Sequence, residues 1–492
     1  MSAGLLWQSN HVTDWRDTVV DGITFTPGDL EGADPLNWPG YEPRCSVSWG
    51  VGDVPGRAAL TQLPDAGVAG APTRAVVCVW DFSVYGGSFG TAETNALAAA
   101  VDAAVAAGLP LVTWARTGGT RLQEGMGALV GIPSSLLAMR RLSEAHLAHI
   151  AIADHPTTGG VWVGITSPAD IRVGVAGATV GFSGPRVVAA MTGEPLPPGE
   201  HTAESAHRHG LLDAVVTPSE STLWLARALR AVSGRAALPD GGPLPPVEVS
   251  QRDGWSQVVA CREAPRPSGA ELMGGLLTDA IPLHGTDPAV SAAVGLLHGH
   301  SAVAVALSAH RGQRPGPAGY ALAVRAAQLA GRLDWPMVTL IDTPGADPRP
   351  HSEHNGIAAW IGTLMDAVLR CPSPTVAVVH GEGGSGGALA AAVADRVLVS
   401  PLGYFAAIAP EGAAQALKTD PRTAAELGEM TPERLLRMGI ADGMTGSDPP
   451  GVTSAVTAAL RSLMARDPAE RMSERLARWT AGTHAHGSGS LS

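Results

Sequence analysis

The sequence TVAVVHGEGGSGGALA occupies residues 375–390 and is the most informative stretch of the chain. Its first five residues form a short apolar, β-branched run, which favours a buried strand, and a run of small residues after the glycines favours a helix. A strand that ends in glycines where a helix begins leaves backbone N–H groups unpaired. Without Cβ atoms a ligand oxygen can approach those groups closely, and the helix dipole favours negative charge there. The stretch therefore predicts an oxyanion site.

Three other apolar runs end in comparable turns. Residues 111–114 lead into Gly118-Gly119, residues 150–153 into Gly159-Gly160, and residues 338–341 into Gly345-Ala346. The first half has 160 − 119 = 41 positions between its turns, and the second half has 387 − 346 = 41. Isolated glycine pairs usually mark ordinary turns, but matched spacing after four strands predicts that the two halves share one fold.

Apolar runs alternate with Ala- and Leu-rich stretches in both halves. Such alternation indicates βαβ units, so the predicted fold class is α/β. The predicted strands are 76–80, 110–114, 302–307 and 337–341, and the predicted helices are 92–107 and 318–331.

The chain of 492 residues is too long for one ordinary core. Residues 236–250 include a Pro- and Gly-rich stretch that is typical of a linker. We therefore predict a first domain at 1–235, a second at 251–480, and a disordered Gly/Ser-rich tail at 481–492.

Composition excludes several classes of function. The net charge of −12 disfavours nucleic-acid binding, which needs clustered Lys and Arg. The longest apolar stretch, 96–115, is interrupted by Asp102, Gly108 and Pro110, so we expect no membrane span. The first residues lack the pattern of a signal peptide, which favours a cytoplasmic protein. Four separated cysteines and the absence of an HExxH pair predict no metal site and single buried thiols.

The motifs together resemble the carboxyltransferase of bacterial acetyl-CoA carboxylase, with a β-subunit-like half followed by an α-subunit-like half. The resemblance runs from about residue 34 to 460. It implies two tandem crotonase-like (ββα spiral) domains. The first half matches at DPLNWPGY (34–41), GGSFG (86–90), GGTRLQE (118–124), PTTGGV (156–161), GFSGPRV (181–187) and LPPG (196–199), and the second at IDTPGA (341–346), GEGGSGGALA (381–390) and APEG (409–412).

The resemblance also implies a mechanism, in which a carboxyl group passes from carboxybiotin to the α-carbon of acetyl-CoA or a related thioester. Negative charge develops on the thioester oxygen and on the ureido oxygen, so two oxyanion holes are expected. The residues that the resemblance assigns are Gly118, Gly119, Gly159 and Gly160 for the thioester, Gly345, Ala346, Gly386, Gly387 and Ala388 for the biotin, Gly383 and Gly384 for cofactor binding, and Arg121 and Arg311 for CoA phosphates.

The same resemblance implies partners. The only lysine, Lys418, lies in ALKTD, which does not resemble the Met-Lys-Met site of a biotin carrier. Biotin would therefore arrive on a separate carrier protein, loaded by a biotin carboxylase. In the family the active cleft combines the first half of one subunit with the second half of another, so at least a homodimer is expected.

Some features depart from the family and leave two alternatives open. The chain lacks the four-cysteine zinc ribbon, His155 replaces the usual Asp before Pro-Thr-Thr, and Arg311 replaces a lysine. Asp347-Pro348-Arg349 stands where the family has Tyr-Pro-Gly. One alternative is a decarboxylase of malonyl thioesters that works without biotin and uses His155 as the acid. The other is a non-catalytic scaffold subunit of a carboxylase complex.

Overall fold

The computed structural model describes residues 23–27, 33–54, 73–240, 252–308 and 310–480. The chain divides into two compact units, Met1–Ser233 and Gly234–Ser492. Most of the predicted linker, residues 241–250, lies outside the described residues, as does the predicted tail at 481–492. Each unit is an α/β fold with its own sheet, as the sequence predicts.

The first unit surrounds one mixed sheet with helices. Its strands are β1 (Phe25–Pro27), β2 (Val47–Val54), β3 (Thr73–Trp80), β4 (Leu111–Thr117), β5 (His149–Thr158), β6 (Ile171–Val175), β7 (Val180–Gly181) and β8 (Ala214–Val216). Its helices are α1 (Thr91–Ala107), α2 (Met126–Glu144), α3 (Pro185–Thr192), α4 (Ala203–Arg208) and α5 (Pro218–Ser233), with 3₁₀ turns at Tyr85–Gly87 and Leu122–Glu124 and a π-helical turn at Trp162–Thr166.

The second unit repeats this plan. Its strands are β9 (Thr278–Leu283), β10 (Val290–Leu297), β11 (His300–Leu307), β12 (Met337–Thr343), β13 (Thr375–Gly384), β14 (Arg396–Val399), β15 (Tyr404–Ala406) and β16 (Gly443–Met444). Its helices are α6 (Gly254–Glu263), α7 (Gly269–Leu276), α8 (Pro317–Leu333), α9 (Pro350–His354), α10 (Ile357–Leu369), α11 (Ser385–Ala392), α12 (Pro410–Leu417), α13 (Pro421–Leu427), α14 (Pro432–Arg437), α15 (Pro449–Met464) and α16 (Pro468–Thr480).

The two sheets have equivalent strand orders. In the first unit the order is β1-β2-β3-β4-β5-β6-β8, and in the second it is β9-β10-β11-β12-β13-β14-β16. The central strands run parallel, and β4 and β12 are buried along nearly their whole length. Strands buried on both faces read as continuous apolar runs, which is why the sequence signals them clearly.

Helix ends follow local chemistry. Helix α1 begins after Gly90, whose amide donates to the Glu93 carboxylate over 2.9 Å, and it ends at Gly108 with a left-handed φ of 65°. Helix α7 begins with a capping box between Ser268 and Glu271. The glycines at the two ends of α1 thus mark where the helix that connects β3 to β4 begins and ends.

Two strands extend well past their apolar runs. The predicted run 150–153 continues as β5 to Thr158, and the predicted run 375–379 continues as β13 to Gly384. The reason is a change of neighbour: β5 pairs first with β6 and then with β7, and β13 pairs first with β14 and then with β15. These polar and glycine-rich extensions carry the strand-end turns.

A bulge precedes the turns in both units. A step of four positions along β5 (153 to 157) matches a step of two along β4 (115 to 117). The same irregularity lies between 379 and 383 of β13 and between 341 and 343 of β12. Bulges re-aim the chain at functional sites, and this one sets the angle at which each strand reaches its turn.

No helix among the described residues is long and apolar enough to cross a membrane. The four cysteines are free thiols; Cys78, Cys261 and Cys371 are buried and Cys45 is partly buried.

Candidate active site

The turn after β4 leaves one backbone amide pointing away from its neighbours. Thr117 Oγ1 accepts the Gly119 N–H over 3.0 Å, and Gly119 has a φ of 117°. The Gly119 carbonyl accepts the Phe89 amide at 2.8 Å, while the Arg121 amide donates to the Phe89 carbonyl at 2.9 Å. Thr120 lies between these bonds, and its own amide has no acceptor among the described residues.

The end of β5 packs directly against this turn. Gly159 has a φ of 66°, and a methyl group on it would lie 2.9 Å from Gly119 Cα and 3.5 Å from the Thr120 nitrogen. The Gly159 amide donates to the carbonyls of Gly181 and Phe182. Gly160 comes next, and its amide has no acceptor within the described part of the chain. Two open amides, of Thr120 and Gly160, are therefore neighbours.

The second unit builds the same turn after β12. Thr343 Oγ1 accepts the Gly345 N–H over 3.2 Å, and Gly345 has a φ of 123°. The Asp347 amide donates to the Pro315 carbonyl at 2.9 Å, as the Arg121 amide does to Phe89. The amide left open is that of Ala346. Each of these residues lies 226 positions after its equivalent in the first unit (343 − 117 = 226).

This equivalence shifts by one residue the alignment of the two units that glycine spacing predicts. The spacing pairs Gly119 with Ala346 and Gly160 with Gly387, whereas the shared hydrogen bonds pair Gly119 with Gly345. Ser385, with a φ of 60°, takes the left-handed position that Gly159 takes in the first unit. A serine in that position hides the true register, since the sequence signal followed the glycines alone. Gly386 is then the counterpart of Gly160.

Gly387 allows a close approach between α11, the turn and a tyrosine. A methyl group on Gly387 would lie 2.6 Å from Tyr320 Oη and 2.7 Å from the Ala346 nitrogen. Tyr320 lies in the first turn of α8 and is fully buried, and its hydroxyl has no hydrogen-bond partner among the described residues. Burial, with a smaller effect of Asp287, raises the pKa of Tyr320, so the hydroxyl keeps its proton. Motif spacing gave no signal for this residue.

Gly383, Gly384 and Ala388 are buried, so their place is in packing around the turn. A methyl group on Gly384 would clash with the Pro344 carbonyl, and one on Gly383 would clash with the Phe405 ring. These two glycines are expected from the resemblance to bind the cofactor. The structure instead places them inside β13, where they let β12, β13 and β15 approach one another.

Gly118, in the first unit, is exposed, and its amide donates to the Gly86 carbonyl at 2.8 Å.

Arg121 is not placed to contact a CoA phosphate. Its side chain is fully buried and forms ion pairs with Glu93 at 2.6 Å and Glu124 at 3.6 Å. The same two terminal nitrogens donate to the carbonyls of Arg44 and Ser88, and the Nε donates to the Ser88 hydroxyl. The guanidinium therefore cross-links the loop before β2, the start of α1 and the turn after β4. Nothing in the sequence distinguishes such a buried arginine from an exposed one.

Two other arginines lie near the second turn. Arg311 is exposed and donates over 3.4 Å to the carbonyls of Ala264 and Cys261, so it stays available to an anion. Arg314 is also exposed; it donates to the Pro344 carbonyl at 3.2 Å and lies 3.5 Å from the position of a methyl group on Gly345. Arg314 is thus the cation that hydrogen-bonds to the turn, and no sequence motif points to it.

The second turn rests on a buried ion pair. Asp342, at the end of β12, pairs with Arg266 at 2.7 Å and accepts the Glu382 amide at 2.9 Å. Glu382 in turn accepts the Tyr404 hydroxyl and pairs with Arg262 at 3.3 Å. These contacts tie the ends of β12 and β13 together behind the open amides.

His155 is half-buried in the outer part of β5. Its Nδ1 accepts the Thr179 amide over 3.1 Å, and its carbonyl accepts Arg116 Nε at 2.8 Å. Burial lowers the pKa of His155, which favours the neutral ring at pH 7. An imidazole held in this way is a weak proton donor.

The arrangement can stabilise negative charge on oxygen. Each turn offers two neighbouring amides, one of them at the start of a helix, where the dipole adds favourable potential. No group of three or more His, Cys, Asp or Glu side chains that could hold a metal occurs within the described ranges.

Comparisons with known proteins show the family of the chain. Residues 248–481 match the family described as acetyl co-enzyme A carboxylase carboxyltransferase-like, and residues 68–232 match the carboxyl transferase domain. The chain is 35% identical to the acetyl-CoA carboxylase carboxyl transferase subunits beta/alpha of Salinispora tropica, over 81% of this chain and 78% of the relative. It is 32% identical to a probable biotin-dependent acyl-CoA carboxylase beta3 subunit of Mycobacterium tuberculosis, over 94% and 97%.

Solved structures share the fold. The crystal structure of transcarboxylase 12S, described as a hexamer with methylmalonyl-CoA bound, superposes with a TM-score of 0.73 at 20% identity and covers 92% of this chain and 90% of that one. A single-chain, multi-domain long-chain acyl-CoA carboxylase superposes with a TM-score of 0.65 at 17% identity over 92% of this chain and 45% of that one. The fold is that of an acyl-CoA carboxyltransferase with two crotonase-like domains. The chain belongs to the acetyl-CoA carboxylase carboxyltransferase family, in the form that joins β- and α-subunit sequences in one polypeptide.

The buried position of Arg121 predicts a structural effect of its replacement. Arg121→Met leaves the carboxylates of Glu93 and Glu124 buried without their cation, so the first unit should lose about 3–5 kcal/mol of unfolding free energy. Urea denaturation measures this loss. As a control, Arg140→Gln removes an exposed pair with Glu144 and should change stability by about 0–1 kcal/mol. An Arg121→Met protein of normal stability that binds acyl-CoA weakly would instead favour a phosphate contact.

Proposed function

We propose that the two turns are the two oxyanion sites of a biotin-dependent carboxyl transfer. In the first unit the amides of Thr120 and Gly160 would hold the thioester oxygen of an acyl-CoA. In the second unit the amides of Ala346 and Gly386, at the start of α11, would hold the ureido oxygen of biotin. The observation that carries the proposal is the repetition of one turn, with the same hydrogen bonds and an open amide at the same place, in both units.

The amides in the first unit would act on the acyl substrate. Loss of the α-proton of a thioester gives an enolate, whose negative charge lies on the carbonyl oxygen. Two fixed N–H donors stabilise that charge more than the neutral thioester, and each such donor contributes about 3–4 kcal/mol toward the transition state. Gly159 and Gly119 lack side chains, so the enolate oxygen can approach the donors.

The second turn has a donor set that fits a ureido group. Biotin supplies a carboxyl group on its ureido nitrogen, and departure of that group leaves negative charge on the ring. The Ala346 amide, the Gly386 amide and the Tyr320 hydroxyl are all donors without protein acceptors in the described part of the chain. The hydroxyl packs behind Gly387, on the same side as the Ala346 amide. Arg314 would add positive potential at the rim.

The partners follow from the family. We propose that a separate carrier protein brings the biotin, that a biotin carboxylase charges it, and that the enzyme acts in the cytoplasm as a homo-oligomer. The hexamer named for transcarboxylase 12S supports an oligomer. The acyl group is that of acetyl-CoA or a related thioester, and malonyl-CoA would be the product from acetyl-CoA.

The decarboxylase alternative has weaker support. It needs an acid that delivers a proton to the enolate, and His155 is the residue that the sequence offers. Its Nδ1 accepts a backbone amide and its pKa is lowered, so its ring is placed as a fixed acceptor in β5.

The reverse reaction tests carboxyl transfer directly. Purified protein incubated with malonyl-CoA should form acetyl-CoA only when free biotin is present as carboxyl acceptor, and chromatography of the thioesters measures the product. Acetyl-CoA formation at the same rate without biotin would contradict carboxyl transfer and favour a decarboxylase. If malonyl-CoA is inert, methylmalonyl-CoA replaces it in the same assay, and inertness of both would favour the scaffold alternative.

Gly159→Ala tests the first turn. The added methyl group would press on Gly119 Cα and shift the Thr120 amide, so kcat should fall by at least about a hundredfold, as when one oxyanion donor is lost. The matched control is Gly177→Ala, which also has a positive φ (75°) but open space around its Cα. Both replacements cost about 1 kcal/mol or more in backbone strain. Equal activity of the two variants would remove the assignment of this turn.

Tyr320→Phe tests the second turn. No protein hydrogen bond is lost, so the melting temperature should stay the same or rise, because a buried hydroxyl without a partner is destabilising. The kcat/KM for biotin should fall about five- to tenfold, while the KM for malonyl-CoA stays constant. Tyr404→Phe is the contrasting variant: its hydroxyl donates to Glu382, so its melting temperature should fall. A Tyr320→Phe protein with unchanged biotin kinetics would leave the hydroxyl outside the site.

A further inference from the structure

A cavity of about 230 Å³ lies in the second unit between the start of β14 and helices α15 and α16. Its wall is strongly cationic for a chain with a net charge of −12. The charged residues that line it are the arginines Arg396, Arg466, Arg471, Arg475 and Arg478 and the acids Asp395, Asp442 and Glu474.

Three of the arginines are neutralised by the three acids. Arg475 holds Asp395 through two bonds of 2.7 and 2.6 Å. Arg478 pairs with Asp442 at 2.6 Å, and Arg466 pairs with Glu474. The other two cations in the wall, Arg396 and Arg471, share carboxylates that pair more closely with Arg478 and Arg475.

Arg471 is the cation with the strongest need for a partner. Its side chain is 4% exposed, and its Nε has no hydrogen-bond acceptor in the described part of the chain. The nearest carboxylate oxygen is Asp395 Oδ2 at 3.7 Å, and that oxygen already accepts bonds from Arg475 and Thr375. Burial lowers the pKa of Arg471, which means that its charge is poorly compensated in this structure.

Arg396 is the second uncompensated cation. It lies at the rim with its side chain 36% exposed, 3.5 Å from Asp442, whose closer partner is Arg478 at 2.6 Å. The cavity therefore carries an excess of two positive charges. A dianion of matching size would restore neutrality in the wall.

The cavity is separate from the proposed active site. Asp395 binds Thr375, the first residue of β13, whereas the turn at Gly384 ends the same strand. A straight strand of this length would span roughly 30 Å. The bulge in β13 shortens that span, and none of the residues that line the cavity belongs to either turn. The ligand of the cavity is thus distinct from the thioester and the biotin.

We propose that this cavity binds a small phosphate-type dianion, either inorganic phosphate or a phosphate monoester. Planar guanidinium groups bind phosphate oxygens in pairs, which makes arginine the side chain best suited to such a ligand. A volume of about 230 Å³ has room for one small molecule only, and the net charge of −12 disfavours a nucleic acid.

Inorganic phosphate is the first probe, with the full chain. Equilibrium dialysis with radiolabelled phosphate should show one saturable site per chain. Phosphate should also raise the Tm by at least about 2 °C more than chloride at equal ionic strength, because a ligand of the native state stabilises it. Sulfate should compete with the label and acetate should not. Stronger competition by glycerol phosphate than by phosphate would identify a monoester as the preferred form.

Two variants locate the site. Arg396→Gln removes a rim charge and should weaken phosphate binding at least about tenfold with little change in the Tm of the free protein. Arg422→Gln removes an exposed charge that does not line the cavity, and it should bind as the unmodified protein does. No saturable binding, or equal binding by both variants, overturns the proposal. Because the readouts are binding and Tm, their outcome is independent of the carboxyl-transfer assay.

Discussion

The bond between a threonine hydroxyl and the amide two residues later is the interaction on which both turns depend. Thr117 accepts the Gly119 N–H and Thr343 accepts the Gly345 N–H, and each glycine then adopts a positive φ near 120°. That conformation is open to glycine and strained for other residues. It turns the chain so that the next amide, of Thr120 or Ala346, leaves the hydrogen-bond network of the sheet. An open amide at this place is therefore a consequence of the turn and needs no particular side chain.

Each of the two turns also depends on the end of a second strand that packs against it. The bulges in β5 and β13 bring these strands across the ends of β4 and β12, and Gly159 and Gly384 meet the neighbouring backbone without an intervening side chain. The forces that hold this contact differ between the units. Buried Arg121 cross-links the first turn, whereas the Arg266–Asp342 pair supports the second. Backbone geometry is thus repeated while its side-chain support is not.

This difference explains what the sequence could and could not predict. Strands such as β4 and β12 are buried on both faces, so their apolar runs and the glycine turns after them are visible directly. The one-residue register error arose because Ser385 takes a left-handed φ that spacing alone assigns to glycine. The burial of Arg121 could not be predicted, because the sequence does not distinguish an arginine that forms ion pairs inside the fold from one that binds a phosphate. Tyr320 and Arg471 were missed because only packing shows that a buried polar atom lacks its partner.

The two units differ in the unpaired hydrogen-bond donors near their turns. At the position of Tyr320 the first unit has Thr94, whose hydroxyl donates to the Gly90 carbonyl at 2.9 Å and is satisfied there. The first unit therefore has no counterpart of the unpaired Tyr320 hydroxyl at this helix position. The second turn adds a phenol that keeps its proton, which suits a ligand held before and after the reaction. If duplication produced the two units, a change at this one helix position gave the second turn a side-chain donor that the first turn lacks there.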